Sequence, residues 1–163
     1  MRRRLVLTLL GALAGAPLAA APLPAHAVDA PQPALSRDTI VIVGHGGVRH
    51  PFTVELALTE QQQETGLMFR KSVPADTGML FDWRAPRESQ MWMKNTLVPL
   101  DMVFINEDGT IRHIAENTVP ESLAVIDSHG PVRATLELQG GITEKLDIRV
   151  GDKVEGKFLT AAP

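Results

Sequence analysis

The sequence predicts a mainly β fold, a single-domain β-sandwich or small barrel with one or two short helices. Three observations carry that prediction. Apolar and polar residues alternate with a period of two, most clearly over residues 52–58 and 132–139. Such runs are short and are set apart by turn-forming groups: Gly44-His45-Gly46-Gly47, Asn106-Glu107-Asp108-Gly109, Asp127-Ser128-His129-Gly130-Pro131 and Gly140-Gly141. Helix signals are confined to Thr59-Glu60-Gln61-Gln62, which fits a capping box closed at Gly66, and to a single turn over residues 142–146.

Residues 1–27 read as a cleaved secretory signal. Arg2, Arg3 and Arg4 form a basic start, an alanine- and leucine-rich run follows, and Ala25-His26-Ala27 supplies small residues at the cleavage positions. Pro17, Pro22 and Pro24 disfavour a membrane-spanning helix there, and no later stretch offers ~20 consecutive apolar residues, so no stable span is expected after cleavage. The predicted location is periplasmic or secreted. Residues 28–38, with Pro31 and Pro33, read as a flexible linker, and residues 39–160 as one β domain.

Losing the three arginines of the leader would move the formal charge from −3 to −6. A mildly acidic domain has no electrostatic reason to seek nucleic acid. Cysteine is absent, which excludes disulfides and thiol redox chemistry.

In chain order, residues 39–43 form a strand that turns at Gly44–Gly47. Phe52, Val54, Leu56 and Leu58 share one face of the next strand, and the short helix from Thr59 follows it. Residues 71–77, holding Pro74 and Asp76, read as a loop. Residues 79–83 are a buried-type strand, and residues 84–88 cross to the richest stretch of the chain.

That stretch, residues 78–105, holds four of the six methionines, both tryptophans and two of the five phenylalanines. Residues 91–95 and 100–105 read as the two arms of a hairpin with Thr96-Leu97-Val98-Pro99 as its loop. The register then sets Met93 opposite Met102 and Lys94 opposite Asp101, with Trp92 on the face of the charged pair. Beyond it come a strand over 111–117, the turn at 127–131, and a half-buried strand in which Arg133, Thr135, Glu137 and Gln139 form the polar face. A last strand lies around 154–159.

Several blocks resemble the domain of unknown function 192 family: Glu55-Leu56-Ala57, Gly66-Leu67-Met68-Phe69-Arg70, Gly78-Met79-Leu80-Phe81, Trp92-Met93-Lys94-Asn95-Thr96 and Pro99-Leu100-Asp101. Asn117 with Pro120, Leu136-Glu137-Leu138 with Gly140, and Gly151-Asp152 continue the match in order. Met91 stands where an aromatic residue is commoner. The resemblance implies a small, mainly β domain of jelly-roll-like topology, often behind a signal peptide. It carries no agreed activity and no catalytic set.

The candidate binding residues are Arg70, Trp92, Lys94, Asn95, Thr96 and Asp101. A desolvated Lys94–Asp101 pair can orient a ligand or move a proton; the blander reading is that it fixes strand register. Arg70 suits bidentate contact with a carboxylate or phosphate, or with an internal partner such as Glu64 or Asp76. Trp83 and Trp92 can stack on a sugar ring, although a strand tryptophan is more often core. Asn95 and Thr96 suit bonds to loop backbone. Asp101 with Glu137 would make a glycosidase-like carboxylate pair if the fold brought them together.

Met68, Met79, Met91, Met93 and Met102 are thioethers of the kind that bind Cu(I), and equally the kind that fill core gaps. His45, His50, His113 and His129 lack metal-ligand spacing, so neither a metal nor a cofactor is expected. The leading function is a non-catalytic module of the cell envelope binding a small molecule, a glycan or a protein. The alternatives are a hydrolase or other enzyme acting on a glycan or cell-wall substrate through Lys94 and Asp101, and a methionine-based Cu(I) carrier.

Overall fold

The run RDTIVIV (β1, Arg37–Val43) reverses through Gly44–Gly47 and pairs antiparallel with β2 (Arg49–Ala57), Val43 opposite Arg49. Gly46 and Gly47 take φ of +78° and +82°, left-handed conformations that glycine adopts without a Cβ penalty. The computed structural model describes residues 30–160, so the predicted leader lies outside the described residues. The first strand starts at Arg37 rather than Thr39. Of the expected linker, Gln32 donates to the carbonyls of Gln62 and Gly66, and the Leu35 amide donates to Glu55.

Five further strands complete one curled sheet: β3 (Thr77–Met91), β4 (Leu100–Ile105), β5 (Ile111–Ala115), β6 (Ile126–Gln139) and β7 (Lys153–Glu155). Their order is β5-β4-β6-β3-β2-β1-β7. The sheet's two ends meet: Thr110 bridges Lys153, and the Val154 amide donates to the Gly109 carbonyl at 2.8 Å. The mainly β prediction is met by this barrel-like sheet and two short helices, α1 (Glu60–Thr65) and α2 (Ile142–Lys145).

The predicted hairpin between residues 91–95 and 100–105 does not form. β6 lies between β3 and β4 and pairs antiparallel with both. With 14 residues, β6 has the length to satisfy both neighbours, and β3 runs on through residues 84–88 to Met91 by means of register shifts. Residues 92–99 are left as turns and irregular chain. Residues 127–131 likewise do not reverse the chain. They lie within β6, Pro131 opposite Glu88 and Asp127 opposite Gln90, with His129 and Gly130 at positive φ absorbing an irregularity.

β2 and β3 are parallel, and a parallel pair needs a long crossover. Residues 58–76 supply it and carry α1. One face of the sheet buries Ile40, Phe52, Val54, Leu80, Val103 and Leu136. The other buries Met79, Phe81, Met102 and Phe104 under Leu67 and Val73 of the crossover and Met93 of the following loop. Thr135 and Glu137 of the polar face expected for β6 are therefore buried on this side, whereas Arg133, next to the register shift, is buried toward the other side. Arg133 pairs with buried Asp82 and donates to the Phe158 carbonyl at 2.8 Å.

Candidate functional site

The capping box of α1 forms as the sequence predicts. Thr59 Oγ1 accepts from the Gln62 amide at 3.3 Å, and Gln62 Oε1 accepts from the Thr59 amide at 3.1 Å. The helix ends at Gly66, whose φ of +48° and ψ of −133° suit glycine alone. A Cβ there would stand 3.1 Å from Phe81 Cζ and 3.7 Å from Glu137 Oε2. The bare glycine thus leaves open the space above Glu137.

That space is a cavity of about 330 Å³. Glu137 forms its floor, while Phe81, Trp83, Met91 and Trp92 stand along its walls. Glu60, Gln63 and Glu64 of α1 line one side, and Thr96 closes the loop side. Trp83 lies within β3 where the strand shifts register against β6, between Asp82 and Arg87. Its indole Nε1 donates to Thr135 Oγ1 at 3.2 Å, and Thr135 in turn meets Ser89 Oγ at 2.9 Å. Arg87 lays its guanidinium over the Trp83 ring, 4.1 Å from the centroid.

Glu137 sits between Met79 on β3 and Met102 on β4 in the sheet register, two neighbours with no strong donor to offer. Its Oε2 has no hydrogen-bond partner among the described residues, and the side chain is buried. Burial pushes the carboxyl up to about 8, outweighing the downward pull of the Arg70 charge. A buried polar atom without a partner is costly, so its presence beside a cavity marks a functional candidate. Near neutral pH this group can hold a proton, donate it, or pair with a cation.

The six residues singled out from the sequence do not converge. Trp92 and Thr96 line the cavity, and Lys94 holds its ammonium 5.0 Å from the Trp92 ring centroid at the surface. Asn95, at φ +55°, joins this loop to the crossover: its carbonyl accepts from the Phe69 amide, and its side chain lies 3.8 Å from Met68 Sδ. Arg70 grips both oxygens of buried Glu55 at 2.7 and 2.8 Å, rather than Glu64 or Asp76. That pairing lowers the Glu55 carboxyl below its ordinary value.

Asp101 is fully buried and does not face Lys94. Its carboxylate accepts from the amides of Asn117, Gly141 and Thr143 at 2.8–2.9 Å and from the Thr143 hydroxyl at 2.7 Å. It thus anchors the start of α2 and the chain that follows β5. The pairing of Lys94 with Asp101, in its register and its catalytic readings alike, is corrected by this placement. Asp101 and Glu137 do not form a carboxylate pair either, because they point to opposite faces of the sheet.

Sequence reasoning weighed Glu137 as half of that pair. Its signal was a lone acid between Leu136 and Leu138, but alternation alone assigned it to a solvated face.

Two solved structures resemble the chain closely. One, from Sinorhizobium meliloti 1021 and described as a candidate transcription regulator, is 46% identical with a TM-score of 0.76. The match covers 78% of this chain and 98% of that one. Another, a protein of unknown function from Novosphingobium aromaticivorans DSM 12444, is 39% identical with a TM-score of 0.73, covering 85% and 94%. No curated protein matches the chain. The model of the DUF192 family, described as uncharacterized ACR, matches residues 41–156. Those residues include every strand pairing that builds the cavity, and the chain belongs to the DUF192 family.

Proposed function

We propose that this chain is an exported, non-catalytic binding module of the cell envelope whose ligand is a small molecule held in the cavity over Glu137. The observation that carries the reading is the unpartnered Glu137 Oε2 at the floor of a space whose lining joins aromatic and thioether side chains to polar and charged ones from α1 and β3. Pockets of this kind combine apolar walls with a few placed polar groups that set orientation. The cavity volume of about 330 Å³ suits a compact ligand. Export rests on the leader-like residues 1–27.

The description of the Sinorhizobium neighbour as a candidate transcription regulator would suggest nucleic acid as a partner. A formal charge of −3 argues against it here, because nucleic-acid affinity rests chiefly on cations facing phosphates. The test of the binding reading is a small-molecule screen on the folded protein, followed by the indole signals of Trp83 and Trp92. Hits that shift those signals, and lose affinity in Glu137→Leu, support the reading. Hits that bind elsewhere and ignore that substitution would overturn it.

One observation favours the copper alternative. Met79, Met91, Met93 and Met102 share a single apolar cluster. Met93 Sδ, however, already accepts from Thr118 at 3.1 Å and is fully buried. Stoichiometric Cu(I) retention against a moderate competitor, abolished by Met93→Leu with Met102→Leu, would establish that alternative.

A further inference from the structure

We propose that the group recognised at the cavity floor is the ammonium of a small amine with an apolar body, paired with the Glu137 carboxylate. This rests on the reading of the cavity as a binding site and adds the chemical class of the ligand. Three observations point to a cation rather than an anion or a neutral polar group.

The first is the floor itself. An ionised carboxylate only accepts hydrogen bonds, and Glu137 Oε2 finds no donor among the described residues. Arg70 lies near enough to pull on Glu137 but commits its guanidinium nitrogens to Glu55. Once the carboxyl is ionised the partner it lacks is a donor, and a charged donor makes the stronger bond.

The second is the balance of charge. Glu60 and Glu64, one helical turn apart on α1, join Glu137 on the cavity surface, and among the described residues Arg87 is the one cation and no histidine lines it. An anionic ligand would meet three carboxyl groups and one guanidinium that is already seated on an indole.

The third is the behaviour of the walls. The chain's own cations rest on both tryptophans that line the cavity, Arg87 at 4.1 Å over Trp83 and Lys94 at 5.0 Å over Trp92. Electron-rich ring faces attract cations, and Met68 and Met91 add polarisable sulfur beside them. The same rings accept the apolar body of the ligand.

Pairing has a proton consequence. Without ligand, burial keeps Glu137 protonated at neutral pH; with an ammonium beside it, the carboxyl ionises and its proton leaves to solvent. The charge acting on it is that of Arg70 from the crossover, itself paired with Glu55 of β2, and Glu60 and Glu64 from α1 and Arg87 from β3 share the cavity lining with it.

The test uses a matched set: 2-phenylethylamine, 2-phenylethanol and 3-phenylpropanoate, each titrated calorimetrically into the protein at pH 7 in two buffers of different ionisation enthalpy. The Trp83 and Trp92 indole signals are followed by NMR in parallel. The amine is expected to bind at least about ten-fold tighter than either analogue, with release of close to one proton and with both indole signals shifted. Glu137→Gln is expected to reduce amine affinity to that of the alcohol and to abolish proton release. Proton release by the unsubstituted protein tests the same point should the variant fold poorly. If the alcohol or the carboxylate binds at the indoles as tightly as the amine, or the amine binds there without releasing a proton, the amine assignment is overturned while the cavity remains a binding site. If none of the three shifts the indoles at millimolar concentration while a broader screen finds other cavity ligands, the amine assignment again fails alone. If that screen also leaves the indoles unmoved, the cavity reading falls with it.

Discussion

Asp101 on β4 and Glu137 on β6 stand one register step apart, Asp101 opposite Leu138 and Met102 opposite Glu137, and their carboxyl groups enter opposite faces of the sheet. The pleat makes that separation unavoidable, since neighbouring positions alternate sides. One acid is surrounded by four donors and the other meets none on its Oε2. Two buried acids close along the sheet thus differ in kind: the first ties loops together, and the second leaves an oxygen unpartnered among the described residues.

Removing the Asp101 carboxylate should be severe. Asp101→Ala orphans three backbone amides and the Thr143 hydroxyl, and a loss of ~3–5 kcal/mol in urea unfolding is expected. Lys94→Ala, at an exposed position, should change stability by less than ~0.5 kcal/mol. The double variant should be additive. A coupling above ~1 kcal/mol between them would contradict the separation described above.

Glu137 sets a pH dependence whose sign is opposite to the usual acidic residue. Its folded value of about 8 lies above the ordinary 4.5, so the folded state holds a proton that the unfolded state has lost between those limits. The contribution is fully present below pH 4.5 and is lost as pH rises to about 8. Its size is on the order of several kcal/mol. Glu55, lowered by Arg70, acts the other way: its contribution is present above its ordinary value and fades on acidification. Urea midpoints of the parent and Glu137→Gln, compared at pH 5 and pH 8, should diverge as pH rises, with the Gln variant the more stable at pH 8, because only the parent's carboxyl must ionise in a site without a donor. A difference that stays constant across that range would refute the buried, proton-holding carboxyl.

The helix cap links stability to the cavity. Thr59→Ala should cost ~1 kcal/mol. Because α1 carries Glu60, Gln63 and Glu64 onto the cavity, the same change should also weaken cavity ligands. Thermal unfolding with and without a bound ligand separates the two effects. An unchanged ligand-induced shift in Tm would mean that α1 does not shape the site.

Export is a matter of where the mature chain begins. Expressed in a Gram-negative host, the protein is expected in the periplasm with its first residue at or near Val28. Intact mass measurement of the purified protein checks this, and a mature chain retaining Met1 would count against export.

By itself the sequence determined the local features. Glycine runs placed the β1–β2 reversal and Asn106–Gly109 the β4–β5 turn, Thr59 with Gln62 wrote the helix cap, and period-two alternation identified β2 and β6. These depend on residues close along the chain, so propensity and turn chemistry suffice. Which strand lies beside which was decided only by the tertiary structure. Residues 91–95 and 100–105 had the composition of a hairpin, but β6 offered both β3 and β4 a longer partner, and strand insertion leaves no mark at short range. The same choice fixed the site. Alternation assigned Glu137 to a polar face, and the sequence could not show that the β2–β3 crossover and the loop carrying Met93 would cover that face. Burial converts an ordinary surface acid into a carboxyl without a donor, and burial is a property of what folds on top, not of the strand that carries it.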